Sequence, residues 1–252
     1  MIEIFNFEEV FENIFLLRVP FEDVLTSVIA IKTGEGAVLF DSATTENDVK
    51  EHIIPALANA KICPDMLISS HFHADHMGGE PYLAKEYPEA VRAKIARECD
   101  GDVRRKLCDG DILFGCLEVL NLPGHTDDSL AILDRRTMTL VCADCLQQKG
   151  VGRYGTGISD AAGYLSSIAK LREMRIDNIL SSHDYVPRGI SARGACSVSR
   201  YLDESESYIS ELRCFAASCG NCDFAKISAE YNRKNPHLPP VGAGTFEACA
   251  KL

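Results

Sequence analysis

With 252 residues, 46% of them apolar and 25% charged, the chain is long enough to bury a large core and too ordinary in composition to be disordered or collagen-like. Its 26 basic against 37 acidic residues give a formal net charge of −11, which would repel a phosphate backbone, so a small-molecule substrate is expected and a nucleic-acid partner is not. The opening MIEIFNFEEVFENIFLLRVP has no basic flank, no apolar run nears the ~18 residues that cross a bilayer, and eleven scattered cysteines do not form a disulfide scaffold. A cytoplasmic protein without membrane attachment is the expectation; the oligomeric state is left open.

The first elements read as strands. Segments 14–19, 24–33 and 37–40 are rich in Val, Ile, Leu and Phe, and the last two flank the turn residues Gly34, Glu35 and Gly36. A helix is predicted over 46–60, with Thr45 or Asn47 as its cap and Pro55 as a kink. A short apolar strand over 66–70 then runs straight into HFHADHMGG, and a second helix should begin near Gly78 and end before Pro88. Further strands are predicted over 111–114, 117–122, 130–133, 139–142 and 178–182, with a long helix over 161–174. From Ser197 onward the chain turns helical and polar, most clearly over 201–217. Strands and helices in alternating blocks argue for sheets sandwiched between helices. Two pairs have CxxC spacing, Cys142 with Cys145 and Cys219 with Cys222. Small buried hydrophobes or inert thiols are the simpler reading of both.

The chemistry concentrates at residues 71–76. In an extended segment, residues two apart project to the same side, so His71 and His73 can grip one ion at the end of the preceding strand. Asp75 and His76 follow as the chain turns toward a helix and can present a carboxylate and an imidazole to a second ion. Gly78 and Gly79 are expected to let the backbone make that turn tightly. Imidazole and carboxylate without thiolate suit Zn2+, although iron and manganese accept similar sets. Three more candidates each close a predicted strand: His125 after Pro123-Gly124, Asp144 after 139–143, and His183 after 178–182. Together the seven supply three histidines for one ion, further ligands for the other and a carboxylate that can bridge them. His52 and His237 lack such settings and read as surface residues.

These motifs resemble the metallo-β-lactamase superfamily over most of residues 14–183: VLFDSA, then HxHxDH, then DGDILFGCLEVLNLPGHTDDSLAIL, then CAD and SSH. The resemblance implies an α/β fold, a four-layer αββα sandwich over residues 1–196, with 197–252 as a helical extension packed on the same domain. It implies that His71, His73 and His125 hold one metal, that Asp75, His76 and His183 hold the second, and that Asp144 bridges. Asp41 matches an aspartate that orients ligands, although Ser42-Ala43 departs from the usual Thr-Gly. Two ions would lower the pKa of a bridging water, and Asp75 would orient the resulting hydroxide and accept its proton.

Substrate class is read from departures within the superfamily. Ala74 in place of Glu disfavours diiron redox chemistry, Asp144 at the bridging position disfavours a true β-lactamase, and Gln147 stands where acyl-homoserine lactonases usually have Tyr. The charge of −11 and the lack of an inserted basic arm disfavour tRNA processing. The chain partly resembles glyoxalase II (hydroxyacylglutathione hydrolase), which fits better than these branches: Arg153 and Tyr154 resemble that family's glutathione-contacting basic and aromatic residues, and His183-Asp184-Tyr185 resembles its His-Glu-Tyr. That family's C-terminal pair of basic residues three apart is missing, and Arg233 and Lys234 are adjacent instead. The expectation is a dinuclear hydrolase of a small acyl compound, thioester ahead of lactone or phosphodiester. An iron-dependent persulfide dioxygenase and a non-catalytic metal-binding module are the rivals.

Overall fold

The computed structural model describes residues 6–95, 105–220 and 223–252, which divide into two compact units. The first comprises Met1–Asn121 with Leu130–Thr137, and the second Leu122–Ser129 with Met138–Leu252. The boundary expected at 196/197 coincides with neither unit and falls inside a helix that begins at Ala195.

In the first unit, β1 (Glu8–Phe11), β2 (Ile14–Phe21), β3 (Val24–Lys32) and β4 (Ala37–Phe40) form an antiparallel meander. It continues in parallel through β5 (Met66–Ile68), β6 (Val91–Lys94) and β7 (Arg105–Lys106) to make a seven-stranded sheet. Leu17, Val19, Val28, Leu39 and Leu67 of this sheet pack against Val49, Ile53, Leu57 and Leu83 of the covering helices. Each such side chain contributes roughly 1.5–3 kcal/mol by leaving water. The same unit contains β8 (Ile112–Leu113), β9 (Leu117–Asn121) and β10 (Leu130–Asp134), paired antiparallel.

The single helix expected over 46–60 is two segments. A π-helical stretch, Asp48–Ile53, precedes α1 (Ile54–Ala60). Pro55 has no N–H to close the preceding turn, so the helix widens before it and regularises after it. Thr45, not Asn47, caps the start: its Oγ accepts the Asp48 N–H at 3.2 Å, and the Asp48 carboxylate accepts the Thr45 N–H at 2.8 Å. The helix expected from Gly78 starts later, as α3 (Glu80–Glu86), after the single turn α2 (Ala74–Met77). Strands β1, β6 and β7 escaped the sequence reading, because they are short and carry charged residues at alternate or adjacent positions.

In the second unit, β11 (Thr139–Ala143) runs parallel to β12 (Asn178–Ser181), joined through α4 (Ala161–Arg172). β13 (Ser191–Arg193), also unforeseen, pairs antiparallel with β12. Asp160 caps α4 by accepting the Ala162 N–H at 3.1 Å. The C-terminal helices α5 (Ala195–Ser218), α6 (Phe224–Lys234) and α7 (Ala243–Ala250) close over the aromatic set Phe215, Tyr231 and Phe246, and α5 also packs on β12, β13 and α4. Among the described residues, no helix is long and apolar enough to cross a membrane.

Candidate metal centre

Within the first unit, β5 delivers the chain to His71, and His73 takes extended backbone angles (φ −68°, ψ 145°) immediately before α2. Asp75 and His76 lie on that one turn. The rings of His71 and His73 are 4.7 Å apart, those of His71 and His76 4.2 Å, and the Asp75 Oδ2 to His76 Nε2 distance is 3.3 Å. His71 and His76 are buried, while His73 and Asp75 are partly open.

Asp41 organises two of these imidazoles. Its Oδ2 accepts the His76 Nδ1–H at 2.8 Å and the Ser70 hydroxyl at 2.9 Å, while Oδ1 accepts the Ser70 N–H at 2.7 Å. Because Ser70 spends its hydroxyl proton on Asp41, its oxygen accepts from His71 Nδ1 at 2.9 Å. Both histidines therefore carry their proton on Nδ1 and leave Nε2 with its lone pair, the arrangement a metal ligand needs. Burial raises the Asp41 carboxyl above its usual pKa, and the electrostatic pull of the His76 N–H and the hydrogen bonds from His76 and Ser70 work against that rise. Asp41 itself sits at φ +66° and Ala43 at +56°, left-handed angles that a glycine would take with less strain. Ser42 holds the turn from below, its N–H and hydroxyl both donating to the His76 carbonyl at 2.7 and 2.9 Å.

Gly78 and Gly79 have a different purpose from the one expected. Their φ angles, −63° and −81°, are helical values that any residue adopts. What excludes a side chain is proximity: a Cβ at either position would lie 2.1 Å from a carbonyl oxygen, that of Thr44 or of Ser42. The glycines let the 42–44 loop press against the turn that carries Asp75 and His76.

The second unit assembles its three candidates from separate places. His125 follows Gly124, whose φ of +143° and 2.5 Å Cβ approach to the Tyr164 backbone admit only glycine. Its Nδ1–H donates to the Gly157 carbonyl at 2.5 Å, again leaving Nε2 for a ligand. Asp144 follows the left-handed Ala143 at the end of β11, and His183 follows β12. The two carboxylate oxygens of Asp144 face different imidazoles: Oδ2 is 3.7 Å from His125 Nε2, and Oδ1 is 3.5 Å from His183 Nε2. All three side chains are buried.

The residues expected to contact substrate are less uniform. Val151 and Tyr154 pair across a two-residue turn made by Gly152 (φ +53°) and Arg153, which leaves Arg153 exposed at the tip with its guanidinium 5.4 Å from the Tyr154 ring centroid. Tyr185 is buried, its ring edge-on to His183 at 5.5 Å. Cys142 and Cys145 are buried free thiols, and burial pushes Cys142 up to about 12, so it is a protonated core residue and no thiolate ligand. Cys222 of the other pair lies outside the described residues. His237 is exposed and His52 half-buried. Ser70, whose hydroxyl belongs to no motif, was not anticipated from the sequence, and Gln147 was expected only as a departure from another family's Tyr.

The fold is that of the metallo-β-lactamases. A metallo-β-lactamase from Pontibacter korlensis superposes with a TM-score of 0.64 at 18% identity, covering 80% of this chain and 99% of that one. The profile described as Metallo-beta-lactamase superfamily matches residues 21–102, so the resemblance seen in the motifs holds for the fold as well. Among curated proteins, the chain is 26% identical to a hydroxyacylglutathione hydrolase of Photorhabdus laumondii over 165 residues, 64% of each chain. It is 22% identical to an atrochrysone carboxyl ACP thioesterase of Claviceps purpurea over 64% of this chain and 51% of that protein. The chain thus spans between about half and two thirds of the length of these relatives.

Proposed function

We propose that this protein is a dinuclear metal-dependent hydrolase of a small acyl substrate, with a thioester the favoured class. His71, His73 and His125 would hold one ion, Asp75, His76 and His183 the other, and Asp144 would bridge them. The donor set fits such ions. Tetrahedral coordination at 2.0–2.2 Å separates neighbouring donor atoms by roughly 3.4 Å. The Asp75–His76, Asp144–His183 and Asp144–His125 donor pairs lie 3.3, 3.5 and 3.7 Å apart, beyond good hydrogen-bond length and right for sharing an ion. That spacing, with the Nδ1 protons of His76 and His125 already committed, is the observation that carries the proposal.

Divalent ions bound there would acidify a water and polarise the scissile carbonyl. The chain supplies the rest. Asp75, partly open and beside His76, would orient the attacking water and accept its proton. Arg153 and Tyr154, at the tip of their turn, would contact the polar part of the thiol, and Tyr185 would pack beside His183. The thioester class is supported by two relatives of different kinds, one named for hydrolysing hydroxyacylglutathione and one named a carboxyl ACP thioesterase.

The test is steady-state hydrolysis of S-D-lactoylglutathione by protein reconstituted with zinc. We expect kcat/KM above about 10⁴ M⁻¹s⁻¹. Negligible turnover with zinc fully loaded would remove glutathione thioesters and direct the search to lactones and phosphodiesters. A preference for iron with oxygen consumption would point instead to a persulfide dioxygenase.

A further inference from the structure

We propose that Gln147 is a positioning residue that holds Asp144 and His125 in their metal-binding orientation, an inference that rests on the ligand assignment above. The orientation of its amide is determined by its neighbours. Oε1 accepts the Gly157 N–H at 2.6 Å, so Nε2 must face the other way, where it lies 3.2 Å from Asp144 Oδ2 and 3.1 Å from His125 Nδ1. The reverse flip would set the amide oxygen against a carboxylate and the NH2 group against the Gly157 N–H.

His125 Nδ1 gives its proton to the Gly157 carbonyl, so Gln147 does not donate to that ring and instead abuts its edge. The amide N–H goes to Asp144 Oδ2, the same oxygen that faces His125 Nε2. Gly157 is used at both ends: its N–H is fixed by Gln147 and its carbonyl fixes His125. One side chain thus sets the rotation of a carboxylate and, through the two peptide units that meet at Gly157, the tautomer of an imidazole 22 residues away. The backbone at 147 is held separately, its N–H donating at 3.1 Å to the hydroxyl of Tyr164, a phenol that burial keeps protonated. Changing the side chain should therefore disturb the orientation of the ligands without moving the strand end that carries them.

The alternative is that Gln147 merely fills and satisfies a buried space. Gln147→Met keeps the volume and removes every hydrogen bond of the amide. Gln147→Glu keeps an acceptor for the Gly157 N–H and places a second carboxylate beside Asp144, where a donor stood. Zinc affinity would be measured at pH 8 by competition with a chromophoric chelator, alongside the thermal midpoint of the metal-free protein. We expect both variants to bind zinc about 10–100-fold more weakly than wild type and to remain folded without metal at the assay temperature, Gln147→Glu at a lowered midpoint because two buried carboxylates repel. Two zinc ions bound at wild-type affinity by either folded variant would overturn the role of Gln147 and leave the ligand assignment intact. A wild-type protein that takes up no zinc would overturn both.

Discussion

The two units hold their candidate ligands by different means. In the first, four ligands fall within six residues, and side chains orient them: Asp41 and Ser70 between them fix His71 and His76. In the second, three ligands come from separate segments, and backbone does most of the orienting, through the Gly157 carbonyl and the glycine-only approach of Gly124 to Tyr164. The first arrangement is compact and depends on charge. The second is dispersed and depends on close packing of main chain. Side-chain scaffolds should fail by loss of ligand alignment, and backbone scaffolds by loss of stability.

Substitutions can break that contrast. The largest effect is expected from removing ligands of the first unit: His73→Ala or Asp75→Ala should cost orders of magnitude in metal content or turnover while circular dichroism shows the sheets intact. Full metal content and full turnover in either variant would remove these residues from the site. Asp41→Asn comes next. It keeps an acceptor for Ser70 but loses the charge that holds His76, and should weaken metal binding by about 10–100-fold, as measured by chelator competition. Gly124→Ala is the smallest in activity and the clearest in stability. Its Cβ would press on the Tyr164 backbone at 2.5 Å, and we expect a loss of roughly 1–3 kcal/mol in denaturant unfolding. If Asp41→Asn proved the greater destabiliser and Gly124→Ala a pure ligand defect, the division between the two scaffolds would be wrong.

That contrast also explains what could be read from the sequence. HFHADH stood out as a candidate cluster because its donor residues are neighbours along the chain, and His125, Asp144 and His183 stood out because each follows an apolar strand. The β-rich first half was anticipated closely where runs of Val, Ile and Leu are long, as in β2 to β4, and missed where strands are short and charged, as in β6 and β7. The orienting groups were mostly hidden. Ser70 and Gln147 act through single hydrogen bonds that leave no periodic trace, and the Gly157 carbonyl belongs to a peptide unit, which no residue letter encodes. Gly78 and Gly79 were noticed for the wrong reason, since a turn can be suspected from sequence but the approach of a loop 34 to 37 residues distant cannot.

Asp41 touches one histidine assigned to each of the two proposed ions, His76 directly and His71 through Ser70. A perturbation at either imidazole is therefore felt by the other through a single buried carboxylate. In energetic terms the two halves of the centre are not separable: the free energies of changes at His71 and His76 would not sum. Whatever alters one ion's hold on the protein would be transmitted, through this one side chain, to its neighbour.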